Sequence, residues 1–183
     1  MLKKTLYTAV LAGLAVPAAA GAQEFSYDYV QGGWAVYPDA DPGDQSYVGL
    51  DAEGRYALNQ DFFLLGGFQY LTDDVDYTTF HGGGALRLPI DTRTDAWAGA
   101  TIEYQDYDPG GDDTSIGLRG GIRHMVNDDL EVSGELRAVT GDADYWGLRG
   151  TATYYVRSDL ALSGSVDLFD GDPGLLAGAR FMF

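Results

Sequence analysis

Residues 174–183 read Gly-Leu-Leu-Ala-Gly-Ala-Arg-Phe-Met-Phe, and this stretch decides how the chain folds. Every second position is apolar, and the row consists of Leu175, Ala177, Ala179, Phe181 and Phe183. Gly178 and Arg180 stand between them and suit polar surroundings. Alternation with a period of two is typical of a β-strand whose two faces meet different media. The stretch is therefore predicted to be a strand with one apolar face and one polar face.

The composition favours a single all-β domain. The chain has 183 residues with 26 glycines, 13 tyrosines and no cysteine. After residue 22 it consists of short alternating segments and Gly-containing turns rather than helical runs. The net charge of −17 and the absence of lysine after residue 22 argue against nucleic acid as a partner, because phosphate binding needs basic patches. Without cysteine, disulfides, thiolate metal sites and a lipoprotein anchor are excluded.

The first 22 residues have the pattern of a secretory signal peptide. Lys3 and Lys4 give a positive start, an apolar stretch covers residues 6–16, and Ala20-Gly21-Ala22 forms a small-residue cleavage site before Gln23. The apolar stretch is too short to cross a bilayer as an anchor. We therefore expect residues 1–22 to be removed during Sec export and residues 23–183 to form the mature domain.

Ten alternating segments follow, at about 26–37, 46–58, 62–71, 77–88, 96–106, 116–123, 130–138, 146–157, 160–168 and 174–183. Their length suits the roughly 9–11 residues of a tilted membrane strand, and an even number allows a barrel to close. The fold class predicted is all-β, a closed antiparallel transmembrane β-barrel of ten strands with short loops, and eight strands is the alternative. The facing of the first strand stays open, because both of its phases carry aromatic residues.

A soluble β-sandwich or lipocalin-like barrel is the competing architecture, since it would show the same alternation. In a soluble barrel the charged face would lie outside, where scattered lysines are expected. The absence of lysine, the position of arginine between apolar residues and the terminal Phe183 favour the inside-out arrangement.

The charged residues that alternate with the apolar rows are predicted to line the lumen. They are Asp51, Glu53, Arg55, Arg87, Glu103, Arg119, Arg123, Glu131, Glu135, Arg137, Arg149, Arg157, Asp167 and Arg180. Arginine pairs with carboxylates in a bidentate manner, which suits a confined lumen. Two interpretations stay open, namely an ion-pair network that fills the lumen and a narrow water-filled channel lined by the same charges.

The turns fall into two sets. Those after even-numbered strands are tight, whereas those after odd-numbered strands carry most of the acid and are expected at the cell surface. The weak metal candidates there are Asp39, Asp41, Asp44, Asp106, Asp108 and Asp112. Their spacing suits hard cations such as calcium, but no full EF-hand pattern is present. No cofactor is predicted, and loosely bound divalent cations that bridge to lipopolysaccharide are the alternative.

Catalysis is not predicted. His81 is expected inward near the outer end of the fourth strand, and His124 on the lipid-facing row near the periplasmic interface. A histidine beside acids could act as a general base, but no Ser–His–acid spacing stands out. A surface-binding or adhesion protein and an outer-membrane hydrolase are the alternatives to a structural or weakly pore-forming barrel.

The chain resembles the small outer-membrane barrels of Gram-negative bacteria. The resemblance rests on the signal peptide, Phe25-Ser26-Tyr27-Asp28-Tyr29-Val30, Phe62-Phe63-Leu64-Leu65-Gly66-Gly67 and Arg180-Phe181-Met182-Phe183. The broad likeness is to porin-family barrels similar to OmpA and OmpX, and the nearer one is to the family once proposed to yield a quorum-sensing factor in plant pathogens. It implies a monomer in the cell outer membrane among lipid and lipopolysaccharide, recognised by the barrel-assembly machinery through the strand ending at Phe183.

Overall fold

The structure is a computed structural model and describes residues 25–40, 45–73, 76–108, 110–141 and 144–183. The proposed signal peptide, residues 1–22, lies outside this part of the chain. The strands are β1 (Tyr29–Ala40), β2 (Gln45–Ala57), β3 (Phe62–Thr72), β4 (Asp76–Asp91), β5 (Thr94–Asp108), β6 (Gly111–Asn127), β7 (Leu130–Thr140), β8 (Tyr145–Arg157), β9 (Leu160–Phe169) and β10 (Asp172–Met182). No helix in the described ranges is both long enough and apolar enough to cross a membrane.

The ten strands form a closed antiparallel barrel in which each strand pairs with its neighbours in sequence and β1 pairs with β10. In the closing pair, Val30 lies opposite Phe181 and Gly33 lies opposite Gly178. The backbone N–H of Phe183 also donates to the carbonyl oxygen of Asp28 at 3.1 Å, which ties the last residue to the segment before β1. The ten-strand prediction is confirmed, and the eight-strand alternative is wrong.

The outer face of the barrel is an apolar belt. Trp34 is 69% exposed, and large apolar side chains from the other strands are also exposed, among them Leu50, Leu64, Leu88, Ile102, Leu118, Leu136, Tyr154, Leu162 and Leu175. The alternate residues of the same strands are turned inward and include the buried arginines. This arrangement reverses that of a soluble barrel and is the architecture of a transmembrane β-barrel, in which strand pairing satisfies the backbone.

The structure also settles the facing of β1. Tyr29, Ala35 and Tyr37 are buried inside the barrel, whereas Val30 and Trp34 are exposed on the belt. Aromatic residues occupy both phases because the lumen, like the belt, contains aromatic side chains.

The two ends of the barrel differ. The terminal end, where the described chain starts and finishes, has the tight connections 58–61, 92–93, 128–129 and 158–159, as predicted. At the opposite end, called the acidic end here, the strands run further than the sequence suggested. Asp106 and Asp108 belong to β5 and Asp112 to β6, so these residues lie on strands and not in a loop. The correction follows from continued pairing, in which Asp106 lies opposite Asp112.

Candidate functional site

The lumen is the candidate site, and the structure places the predicted lining residues inside it with one exception. Their side chains are buried or half-buried and contact each other across the barrel. The exception is Arg157, whose side chain is 63% exposed and pairs with Asp159 at 3.1 Å. The prediction for Arg157 was wrong because the β8–β9 register shifts between Tyr155 and Arg157, which ends the strict alternation at the terminal end.

Asp167 is the centre of the ion-pair cluster nearest the acidic end. It accepts hydrogen bonds from Arg137 at 2.6 Å, from Arg149 at 3.2 Å and from the Tyr37 hydroxyl at 2.6 Å. Arg149 also pairs with Asp51 across the lumen at 3.1 Å. Residues from β1, β2, β7, β8 and β9 therefore meet in one cluster, with Asp167 fully buried.

The middle of the lumen holds a chain of alternating charges. Arg119 pairs with Glu103 at 2.8 Å and with Glu135 at 3.2 Å. Glu135 also pairs with Arg55, which in turn pairs with Glu53 at 2.8 Å. Each arginine thus connects two carboxylates, so the cluster crosses the barrel from β6 to β2.

Glu131 is the centre of the cluster nearest the terminal end. It receives two hydrogen bonds from Arg123, at 3.0 and 2.8 Å, and one from Arg180 at 3.3 Å. The Tyr155 hydroxyl donates to the same carboxylate at 2.6 Å. The guanidinium of Arg180 also lies over the ring of Tyr29, 4.3 Å from its centroid, which adds a cation–π contact.

One buried carboxylate was not predicted from the sequence, namely Asp95, which pairs with Arg87 at 2.6 Å. A signal for it exists, since Asp95 lies in phase with Thr101 and Glu103 once β5 is extended back to Thr94. The inward facing of several tyrosines was also not predicted, because a tyrosine side chain suits both the lipid face and a polar lumen. Arg93 was not assigned to the lumen, and it pairs with the exposed Asp128 at the terminal end.

Two aromatic and apolar clusters close the lumen above and below the ionic middle. The cluster toward the terminal end consists of Phe25, Tyr27, Phe63, Leu65, Ala85, Trp97 and Met125, with Ala57 and Tyr155 packed against it. The cluster toward the acidic end consists of Ala35, Tyr37, Leu71 and Tyr77, with Tyr47, Tyr107, Phe169 and Leu176 packed against it. The lumen is therefore layered, with charged side chains between two sets of aromatic rings.

The charges of these described lumen residues balance. The carboxylates Asp51, Glu53, Asp95, Glu103, Glu131, Glu135 and Asp167 face an equal number of guanidinium groups, on Arg55, Arg87, Arg119, Arg123, Arg137, Arg149 and Arg180. Each member forms at least one salt bridge. A paired, neutral network offers no net field that would attract ions of either sign.

Little space remains between these side chains. The two cavities of the ionic middle have volumes of about 30 and 20 Å³, and each has room for roughly one or two water molecules. A larger cavity of about 480 Å³ lies at the terminal end beside Tyr27, Phe63 and Arg87, but it shares no lining residue with either central cavity. The two central cavities, which share Glu53 and Arg149 as lining residues, are therefore small pockets between paired side chains.

The two histidines occupy different surroundings. His81 lies in the lumen, opposite Gly67 on β3 and Glu103 on β5, and its Nε2 atom is buried without a hydrogen-bond partner among the residues that the structure describes. His124 is half-buried near the terminal end, and its Nδ1 atom lies 3.0 Å from the Thr94 hydroxyl.

The metal candidates do not form a recognisable centre in the part of the chain that the structure describes. Within those ranges, no group of three or more His, Asp or Glu side chains has the geometry to hold a metal ion. Asp41 and Asp44 lie outside the described residues, and the strand β1 includes Asp39 near its end. The idea of divalent cations at the acidic end therefore stays a prediction from the sequence.

No family model matches the sequence, and no curated protein matches it. Among solved structures, the chain is similar to the KdgM porin at 11% identity and a TM-score of 0.48, with 85% of this chain and 99% of that chain covered. An outer membrane channel from Pseudomonas putida F1 gives 11% identity, a TM-score of 0.49 and coverage of 92% and 100%. The outer membrane protein OprG from Pseudomonas aeruginosa has 13% identity and a TM-score of 0.40, with 85% of this chain and 94% of that chain covered. At this level of similarity, the likeness concerns the fold and says nothing about what the lumen of this chain does.

Proposed function

We propose that the protein is an outer-membrane β-barrel that does not conduct solutes at neutral pH and acts as a structural surface protein of the cell envelope. The observation that carries this proposal is the filled lumen, in which paired charges lie between two aromatic clusters. Of the two interpretations left open by the sequence, the ion-pair network that fills the lumen is the better supported, because the central cavities are no larger than about 30 Å³.

The location follows from the same inside-out arrangement, and it is part of the proposal. A belt of exposed apolar side chains needs lipid around it, and a closed barrel with short turns is typical of the outer membrane. In this proposal lipid and lipopolysaccharide surround a monomer, and the barrel-assembly machinery recognises the strand that ends at Phe183. The kinship with the family linked to a quorum-sensing factor stays a prediction from the sequence.

Orientation is the first test of this proposal. Epitope tags are inserted in the turn at residues 170–171, at the acidic end, and in the turn at 128–129, at the terminal end. In a Gram-negative host we expect both proteins in the outer-membrane fraction, with heat-modifiable gel migration. Antibody should reach the first tag on intact cells and the second only after permeabilisation. Recovery in the soluble or inner-membrane fraction, or the reverse accessibility, would contradict the proposal.

A further inference from the structure

His81 is the one lumen group, among the described residues, that ordinarily changes charge between pH 5 and 8. Its ring lies against Gly67, where a β-carbon would collide with the imidazole. The buried Nε2 atom has no hydrogen-bond partner within the described part of the chain. The side chain also lines the central cavity of about 20 Å³, so a positive charge on it would interact with the charged groups around that cavity.

Charged groups face this cavity from several strands. The carboxylates are Asp51 and Glu53 on β2 and Glu103 on β5, which lies directly opposite His81 in register. The guanidinium groups are those of Arg119 on β6, Arg137 on β7 and Arg149 on β8, and the neutral but titratable Tyr145 on β8 also lines the cavity. The nearby side chains of β3 and β9, Gln69 and Phe169, do not titrate. Three guanidinium groups thus surround the imidazole, and a fourth positive charge there would be repelled by them.

The carboxylates that face His81 are already paired with arginines. Asp51 is already paired with Arg149, and Glu103 is paired with Arg119 at 2.8 Å. Glu53 is paired with Arg55 at 2.8 Å. An imidazolium at His81 would compete with these arginines for the same carboxylates and would weaken the existing pairs.

We propose that His81 is an acid trigger, so that its protonation breaks the ion-pair network near the acidic end and makes the barrel permeable to small ions. This inference rests on the closed lumen of the proposed function and adds its regulation. The closed lumen has balanced charges and little room for water, which disfavours the imidazolium. An opened, hydrated lumen would let His81 take a proton as an ordinary histidine does, near pH 6.5.

The direction and steepness of the pH dependence of opening follow from proton linkage. Above about pH 6.5 His81 is unprotonated in both states, and the free-energy difference that favours the closed barrel is unchanged. Below that pH only the open state binds it, so the ratio of open to closed barrels rises by up to about tenfold for each pH unit. Ordinary carboxylates titrate nearer pH 4, which leaves a window of about two pH units in which His81 acts alone.

The test is conductance of refolded protein in planar bilayers from neutral pH down to about pH 4.5, with folding checked by heat-modifiable migration. We expect the unmodified barrel to be silent at neutral pH and to open with increasing probability below about pH 6.5. H81Q, which cannot take the charge, should stay silent over the whole range. H81K, which is charged throughout, should already conduct at neutral pH. The control H124Q removes the histidine outside the lumen and should keep the pH dependence.

The outcomes separate the two proposals. A barrel that conducts at neutral pH would overturn the closed lumen itself. A folded barrel that is silent at every pH would overturn the trigger and leave the closed lumen standing. Acid-induced openings that persist unchanged in H81Q would also overturn the trigger and assign the effect to carboxylates. If H81K does not refold, the comparison of H81Q with the unmodified protein decides the question alone.

Discussion

Replacing Asp167 with asparagine is expected to destabilise the folded barrel by about 3–5 kcal/mol. The side chain keeps its shape but loses the charge that compensates Arg137 and Arg149, whose side chains are only 7% and 10% exposed. Removing one member of a buried ion-pair network costs more than the pair itself contributes, because Arg137 then stays buried without its carboxylate, whereas Arg149 keeps its pair with Asp51. Tyr37 can still donate its hydroxyl hydrogen to the amide oxygen, so the loss is mainly electrostatic.

The measurement is urea-induced unfolding of the protein refolded in lipid vesicles, followed by tryptophan fluorescence. R157Q is the matched control, because it also removes one charge from a salt bridge with an aspartate, but at an exposed position. Its free energy of unfolding should change by no more than about 0.5 kcal/mol. Equal effects of D167N and R157Q would show that the lumen network is solvated, in contradiction to the structure.

G33A is expected to weaken barrel closure by about 3 kcal/mol, at the upper end of the usual range for overpacking. Gly33 lies on β1 directly opposite Gly178 on β10, in the pair that closes the sheet. A β-carbon on Gly33 would overlap the carbonyl oxygen of Ala177, and one on Gly178 would overlap that of Gly32. The obstacle is backbone rather than a flexible side chain, so relief requires the two strands to move apart.

G82A serves as the control, because a β-carbon at Gly82 would meet nothing within 4 Å. The yield of heat-modifiable, folded protein and the urea midpoint should fall for G33A and stay unchanged for G82A. If G33A refolds with the yield and midpoint of the unmodified protein, the close approach of β1 and β10 is not a feature of the barrel.

The sequence was sufficient for the fold because each face of a strand meets a uniform medium. Alternation alone placed Arg180 inward and Phe181 outward, and the structure shows both. The turn after β9 can also be predicted from its residues, because the pair Asp170-Gly171 suits positive φ angles. The observed φ angles are 49° and 100°. Such features depend on residues close together in the chain.

The pairing of charges across the lumen could not be predicted in the same way. Arg149 and Asp51 are 98 residues apart, and Arg55 and Glu135 are 80 apart. Which arginine meets which carboxylate depends on the stagger of ten strands around the barrel, and alternation does not fix this stagger. Local alternation also leaves the facing of a strand open where both of its faces carry aromatic residues, as in β1, in which Tyr29 is buried and Trp34 is exposed.

The most direct test of the closed lumen is single-channel recording at neutral pH from the unmodified protein, refolded into a planar bilayer and shown to be folded by heat-modifiable migration. The network of Arg119, Arg137 and Arg149 with their carboxylates, together with central cavities of only about 30 and 20 Å³, predicts a membrane without discrete openings. Steady, discrete current steps that scale with the amount of folded protein would contradict the account, because the lumen charges would then line a channel instead of filling it.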